Sequence, residues 1–291
     1  MRSQRFFSLP FLVFFALIQT SFAAEPSLTI SPKTWEVYQG GVVFITVSGN
    51  GLRGVKVLRG QREIPFFPRA TDGSFVALLG ADLEEAAGAK KMVIKARGKT
   101  DTEVPVFLRV KKKDYSTERL SLPASFDRFD EATLARIRRE KKRMTRLWSI
   151  ASGQRWWEAH FVAPVPGAIT SPFGLRRVIN GSPRSPHSGV DLRAAEGADI
   201  VATNHARVVL VDDFYFNGKS VVLDHGGGLY TMYFHLSDFR VKEGSQVRKG
   251  EVIGLAGMTG RVTGPHLHWG ARLNEARVDP FELLNKVWDK Q

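Results

Sequence analysis

From residue 163 to about residue 284, glycine, proline, aspartate or asparagine interrupts the chain every few residues. The runs between these breaks are short and rich in Val, Leu, Ile, Tyr and Phe, as in "VVLVDD", "SVVLDHGGG", "YTMYFHLS" and "EVIGLAGMTG". Helical periodicity is nearly missing. Short β-branched and aromatic runs bounded by turn residues predict strands. Their succession predicts a compact, mostly antiparallel β domain over 163–284.

Residues 27–110 carry the same signature in "VVFITVSG", "GVKVLRG", "SFVALLG", "KKMVIKARG" and "TEVPVFLRV". Strands at such intervals predict a small β-sandwich. The segment has no histidine and no acid–base grouping, so it reads as a separately folded binding or spacer module. A chain starting near Phe126 is then expected to fold and bind metal alone. Residues 111–160 connect the two. "KKKDYSTERLSLPASF" is polar and reads as linker, whereas "DEATLARIRREKKRMTRLWSI" changes period. There Leu134, Ile137, Met144 and Trp148 fall at helical spacing behind a candidate N-cap, Asp130. Arg136, Arg138, Arg139, Lys142, Arg143 and Arg146 lie on the other side, as the solvated face of a packed helix. The fold class is therefore mainly β, with a helical connector between two β units.

Arg2 and Arg5 precede an apolar run over 6–18, and Ser21, Phe22 and Ala23 follow it. The run is short and broken by Ser8 and Pro10, which predicts a cleaved secretory signal over 1–23 with no transmembrane anchor left behind. The mature chain is expected to be soluble. With no cysteine, neither a disulfide nor a lipid-modified thiol is available. The formal charge of +13, or +11 without that leader, attracts anionic polymers or lipids. Export argues against nucleic acid as the partner.

Six of the seven histidines lie within 163–284. In "TGPHLHWG", His266 and His268 share one side of an extended segment, with Leu267 and Trp269 turned towards a core. "HSGVDL" adds His187 and, four residues later, Asp191. A catalytic zinc takes three protein ligands from imidazole nitrogen and carboxylate oxygen, with one position left for water. His187, Asp191 and one of the downstream pair make such a set. Spacing alone does not say which one.

The ordered set "PFGLRR…HSGVDL…YTMYFHLS…TGRVTGPHLHWG" resembles the M23 peptidases, the LytM or lysostaphin-type zinc endopeptidases. The resemblance implies a lysostaphin-type β domain over 163–284 that cuts peptide bonds in peptidoglycan. It implies one Zn2+ per chain on His187, Asp191 and His268, and His235 and His266 as catalytic histidines. Peptidoglycan stem or bridge peptides are the implied partners, in the periplasm, with the oligomeric state left open. Tyr233, two residues before His235, is expected on the same strand face and to serve in packing. His225 is expected to be structural. Gly270 stands where relatives commonly have glutamate, which is expected to alter contacts around the ligands without abolishing metal binding. Asn180 lies in the segment from which an asparagine caps the zinc in some latent relatives. Residues 27–110 more loosely resemble the immunoglobulin-like domain that precedes some secreted peptidases. The alternative, an inactive envelope scaffold that activates other wall hydrolases, fits less well because the three ligand positions and both assisting histidines are present.

Overall fold

The computed structural model describes residues 28–123 and 128–285. The leader over 1–23 lies outside them, as does Phe126. Among the described residues no helix is long and apolar enough to cross a membrane.

The first unit is built from two sheets. One orders the strands Thr29–Ser31, Val42–Ser48, Phe75–Gly80 and Phe67–Pro68. The other orders Trp35–Tyr38, Thr102–Lys111, Gly88–Arg97, Gly54–Arg59 and Arg62–Pro65. Period-two alternation decides the inner faces. Met92, Ile94 and Ala96 are buried while Val93 and Lys95 between them are only partly so. Together with Ile45, Val47, Leu79, Val57 and Leu108 they form one core drawn from both sheets.

The second unit is dominated by one large sheet. Its main path runs Ile169–Ser171, Gly189–Arg193, His266–Leu273, Leu229–Phe239, Gly218–Gly226, Ala206–Phe214 and Gln246–Val247. Leu267, Trp269, Tyr233, Val221, Leu223 and Leu192 turn to one face and form its core. The opposite face carries His266 and His268. Further along that face Val222, Tyr230, Met232 and Phe234 pack with Trp148 of the helix Glu131–Trp148. The helix therefore covers the sheet face that holds the histidines.

The helix starts where the sequence places it, with the Asp130 carboxylate accepting from the Thr133 N–H at 2.7 Å. Its basic side is exposed, as expected, but two of its arginines also reach the sheet. Arg136 donates to the Asp213 carbonyl at 3.0 Å, and Arg143 pairs with Asp212 and with Glu243. These long side chains reach over the helix flank to the sheet, so their stems pack while their charges stay paired. The preceding polar stretch is also more ordered than a linker. Its residues Thr117–Leu120 form a strand parallel to Arg176–Ile179.

The two units pack directly against each other. Val42 and Leu78 of the first share an apolar cluster with Leu229, Leu273, Val278 and Leu283 of the second. Leu83 is part of the second unit's own core. Arg277 closes the seam, donating from Nε and Nη2 to the Asp82 carboxylate at 3.0 and 2.6 Å and from its backbone N–H at 2.8 Å. A chain starting near residue 126 would leave this apolar seam in water and the Arg277 guanidinium without its carboxylate.

Candidate metal centre and active site

The antiparallel pairing of Gly189–Arg193 with His266–Leu273 sets Asp191 opposite His268 and Arg193 opposite His266. Asp191 and His268 thereby meet on the site face. His187 sits four residues before Asp191, and its backbone N–H donates to the Leu175 carbonyl at 2.9 Å. Three ligand atoms converge: His187 Nε2 lies 3.1 Å from Asp191 Oδ1, His268 Nδ1 lies 2.9 Å from it, and the two nitrogens are 3.0 Å apart. Tetrahedral ligands about 2.0–2.1 Å from a zinc ion would stand roughly 3.3 Å from one another. The triangle is slightly tighter than that, and its atoms are of the right chemistry. Among the described residues this is the group of three that could hold a metal.

Tautomers support the same reading. His187 Nδ1 lies 3.0 Å from the Pro172 carbonyl, which can only accept, so Nδ1 carries the proton and Nε2 offers a lone pair inward. His266 Nδ1 faces the Gly264 carbonyl at 2.9 Å and His235 Nδ1 faces the Thr259 carbonyl at 3.0 Å. Both thus present an unprotonated Nε2. Backbone carbonyls fix each ring, as second-layer partners do in metal sites. Burial by itself would raise the Asp191 carboxyl. Hydrogen bonds from His187 and His268 outweigh it and hold the group well below the usual carboxylate range. Burial pushes the His268 imidazole down, against the Asp191 hydrogen bond.

His266 Nε2 stands 3.8 Å from Asp191 Oδ1, outside the tight triangle. The His235 ring lies 4.8 Å from the His266 ring, centroid to centroid, and 6.1 Å from that of His268. Burial pushes His235 down to about 4, with the neighbouring His268 adding to the effect. The five residues singled out from the sequence therefore gather at one place, with three close enough to share an ion and two beside them.

His235 arrives by a route that alternation does not predict. Tyr233 pairs with Val221 and Leu236 with Lys219, so Phe234 and His235 together oppose Ser220. This is a bulge, and His235 takes φ 65° within it. Without it His235 would follow Tyr233 into the core. The expectation that Tyr233 shares its face fails for this reason. Tyr233 is fully buried, and its hydroxyl accepts from the Thr203 N–H at 3.1 Å and meets Thr231 Oγ1 at 3.0 Å. Its packing role stands.

Other side chains complete the site without having been singled out. Phe234 stacks on His268, with centroids 5.3 Å apart and planes 4° from parallel. Gly189 makes room for that ring, since a Cβ there would lie 2.6 Å from His268 Nε2 and 2.6 Å from the Trp269 carbonyl. The glycine inside "HSGVDL" was the available sequence signal for this close approach. Asn180 is occupied elsewhere. Its amide accepts from the Leu122 N–H and donates to the Leu122 carbonyl, both at 2.9 Å.

His225 is structural, as the sequence suggests. It is fully buried, with Nδ1 2.9 Å from the His205 carbonyl and Nε2 2.7 Å from Thr231 Oγ1. Burial pushes it down to about 4. An unfolded histidine titrates near 6.5, so below that pH the unfolded chain takes up the proton first. The stabilisation is complete above about pH 6.5 and is lost as pH falls from there towards 4. It amounts to about 3 kcal/mol at most. In urea titrations of metal-free protein, His225→Gln should flatten the loss of stability across this window. Equal pH slopes in variant and wild type would refute it.

Residues 185–280 match the family model of peptidase family M23. A crystal structure from Pseudomonas aeruginosa, provisionally named peptidase M23, superposes with a TM-score of 0.67 at 30% identity, covering 85% of this chain and 94% of that one. The chain is 41% identical over 115 residues to the DD-carboxypeptidase/endopeptidase Mpg of Neisseria meningitidis serogroup B, covering 40% of this chain and 26% of the relative. It is 41% identical over 102 residues to the peptidoglycan DD-endopeptidase ShyA of Vibrio cholerae, covering 35% of this chain and 24% of the relative. These two matches thus span about a quarter of each curated relative.

Proposed function

The chain belongs to peptidase family M23, and on that premise we propose that it hydrolyses peptide bonds in peptidoglycan with one zinc ion held by His187, Asp191 and His268. The observation that carries this is the convergence of three ligand atoms within 3.1 Å on the face shared by His235 and His266. The names of the two relatives support cross-link endopeptidase action, and that of the Neisseria relative supports DD-carboxypeptidase action at the same site. Such substrates put the working protein in the cell envelope, which we take to be the periplasm.

When bound, zinc lowers the pKa of its water to about 7 and polarises the scissile carbonyl. The protein supplies the rest. His266, with its proton on Nδ1, uses Nε2 to accept the proton of the attacking water and then delivers it to the leaving amine. His235, held in the bulge by its Nδ1 bond to the Thr259 carbonyl, stands beside the His266 ring, where its unprotonated Nε2 accepts a hydrogen bond from the attacking water and orients it. Phe234 shields one face of His268 from water. We read residues 27–110 as an immunoglobulin-like sandwich that fixes the orientation of the peptidase unit over 163–284, with 111–160 as the connection.

Purified sacculi and defined cross-linked muropeptides test the proposal. The protein should release soluble fragments, lose that activity on chelation and regain it with added zinc. Unchanged release after complete metal removal would overturn the metal reading. Failure of the zinc-loaded protein to cut any muropeptide would overturn the hydrolase reading.

A further inference from the structure

The space beside His235 and His268 continues as a groove between the site face of the sheet and the helix Glu131–Trp148. Its volume is about 480 Å³, within the roughly 300–1,000 Å³ of small-molecule sites. A larger groove of about 720 Å³ crosses the first unit, but no histidine lines it.

Two features of this chain shape the groove. On the strand His266–Leu273, positions 268, 270 and 272 share the site face. Gly270 has no side chain and lets Met232 pack over it, since a Cβ there would lie 2.8 Å from Met232 Cε, so Met232 forms the apolar floor between His268 and Arg272. The helix then raises a wall over that floor, with Lys141, Met144 and Trp148 lining it.

The walls are apolar but the charges in them are not balanced. Glu140 is already used, accepting from Arg136 Nε at 2.6 Å and from the Tyr215 N–H at 2.9 Å. The Arg272 guanidinium lies over the Trp148 ring at 5.1 Å. Among the described residues Lys141 forms no ion pair. An apolar groove with two cations and a spent carboxylate suits an extended peptide that bears a carboxylate.

We infer that this groove is the subsite for the substrate peptide on one side of the scissile bond, and that Lys141 selects a carboxylate on that segment. The inference rests on the peptidase reading above. It makes the connecting helix a specificity element of the active site.

The test uses the full chain loaded with zinc, a cross-linked stem peptide with free carboxylates, and the same peptide with those groups converted to carboxamides. Lys141→Ala should raise KM for the acidic peptide about fivefold, the scale of a partly exposed ion pair, and leave kcat unchanged. Lys141→Glu should raise it further. Neither variant should alter KM for the carboxamide peptide. No change with the acidic peptide, or an equal change with both, would overturn the inference. If wild-type enzyme cuts neither peptide, the hydrolase reading fails, and tryptophan fluorescence then reads binding directly. In that case Lys141→Ala should still weaken binding of the acidic peptide alone, and equal wild-type affinity for the two peptides would sink the subsite.

Discussion

His268→Ala should lose most of its zinc and all measurable turnover. Its Nδ1 lies 2.9 Å from Asp191 Oδ1 and 3.0 Å from His187 Nε2, so its removal leaves one carboxylate and one imidazole. Catalytic zinc sites keep three protein ligands, and two do not hold the ion in competition with water. Metal and nucleophile are lost together, so no partial activity is expected. The alanine also removes the ring stacked on Phe234, which leaves a small void beside the site. Circular dichroism and thermal unfolding against chelated wild type separate that packing loss from metal loss. Elemental analysis showing a full zinc complement in the folded variant would refute the ligand assignment.

The second large effect separates catalyst from ligand within "HLH". His266→Ala should retain zinc while kcat/KM falls by roughly 10²–10⁴-fold, the scale of a lost general acid–base group. Its Nε2 is 3.8 Å from Asp191 Oδ1, so the three-atom triangle does not need it. His235 calls for a different substitution. It adopts φ 65°, a region that asparagine tolerates better than most residues, so His235→Asn preserves the bulge while removing the imidazole. A fall of similar size with zinc retained is expected there too. Loss of zinc from either variant would mean that ligand and catalyst have been exchanged.

Part of this arrangement is legible in the letters of the chain. Alternation over "HLHW" puts both histidines on one side and Leu267 and Trp269 on the other, and both of the latter are fully buried. The N-cap and period of the connecting helix were equally readable, because caps and helical stripes are local properties. The choice between His266 and His268 was not, since two residues on one face differ only in what lies opposite them. Register supplies the difference by setting Asp191 opposite His268.

The sequence by itself determined the residue types of the centre, the strand-forming runs that carry them and the face on which the HLH pair emerges. These follow from side-chain chemistry and a backbone period of two, which need no partner strand. Only the tertiary structure decided that the ligands meet, because His187 and Asp191 lie 81 and 77 residues before His268. Core burial must compensate the entropy of closing such loops before the site can exist. It also decided that His235 turns outward through a bulge, that the first unit shares its apolar seam with the second, and that the helix lies over the groove. Each depends on contacts between segments far apart in the chain, where packing and register override local periodicity.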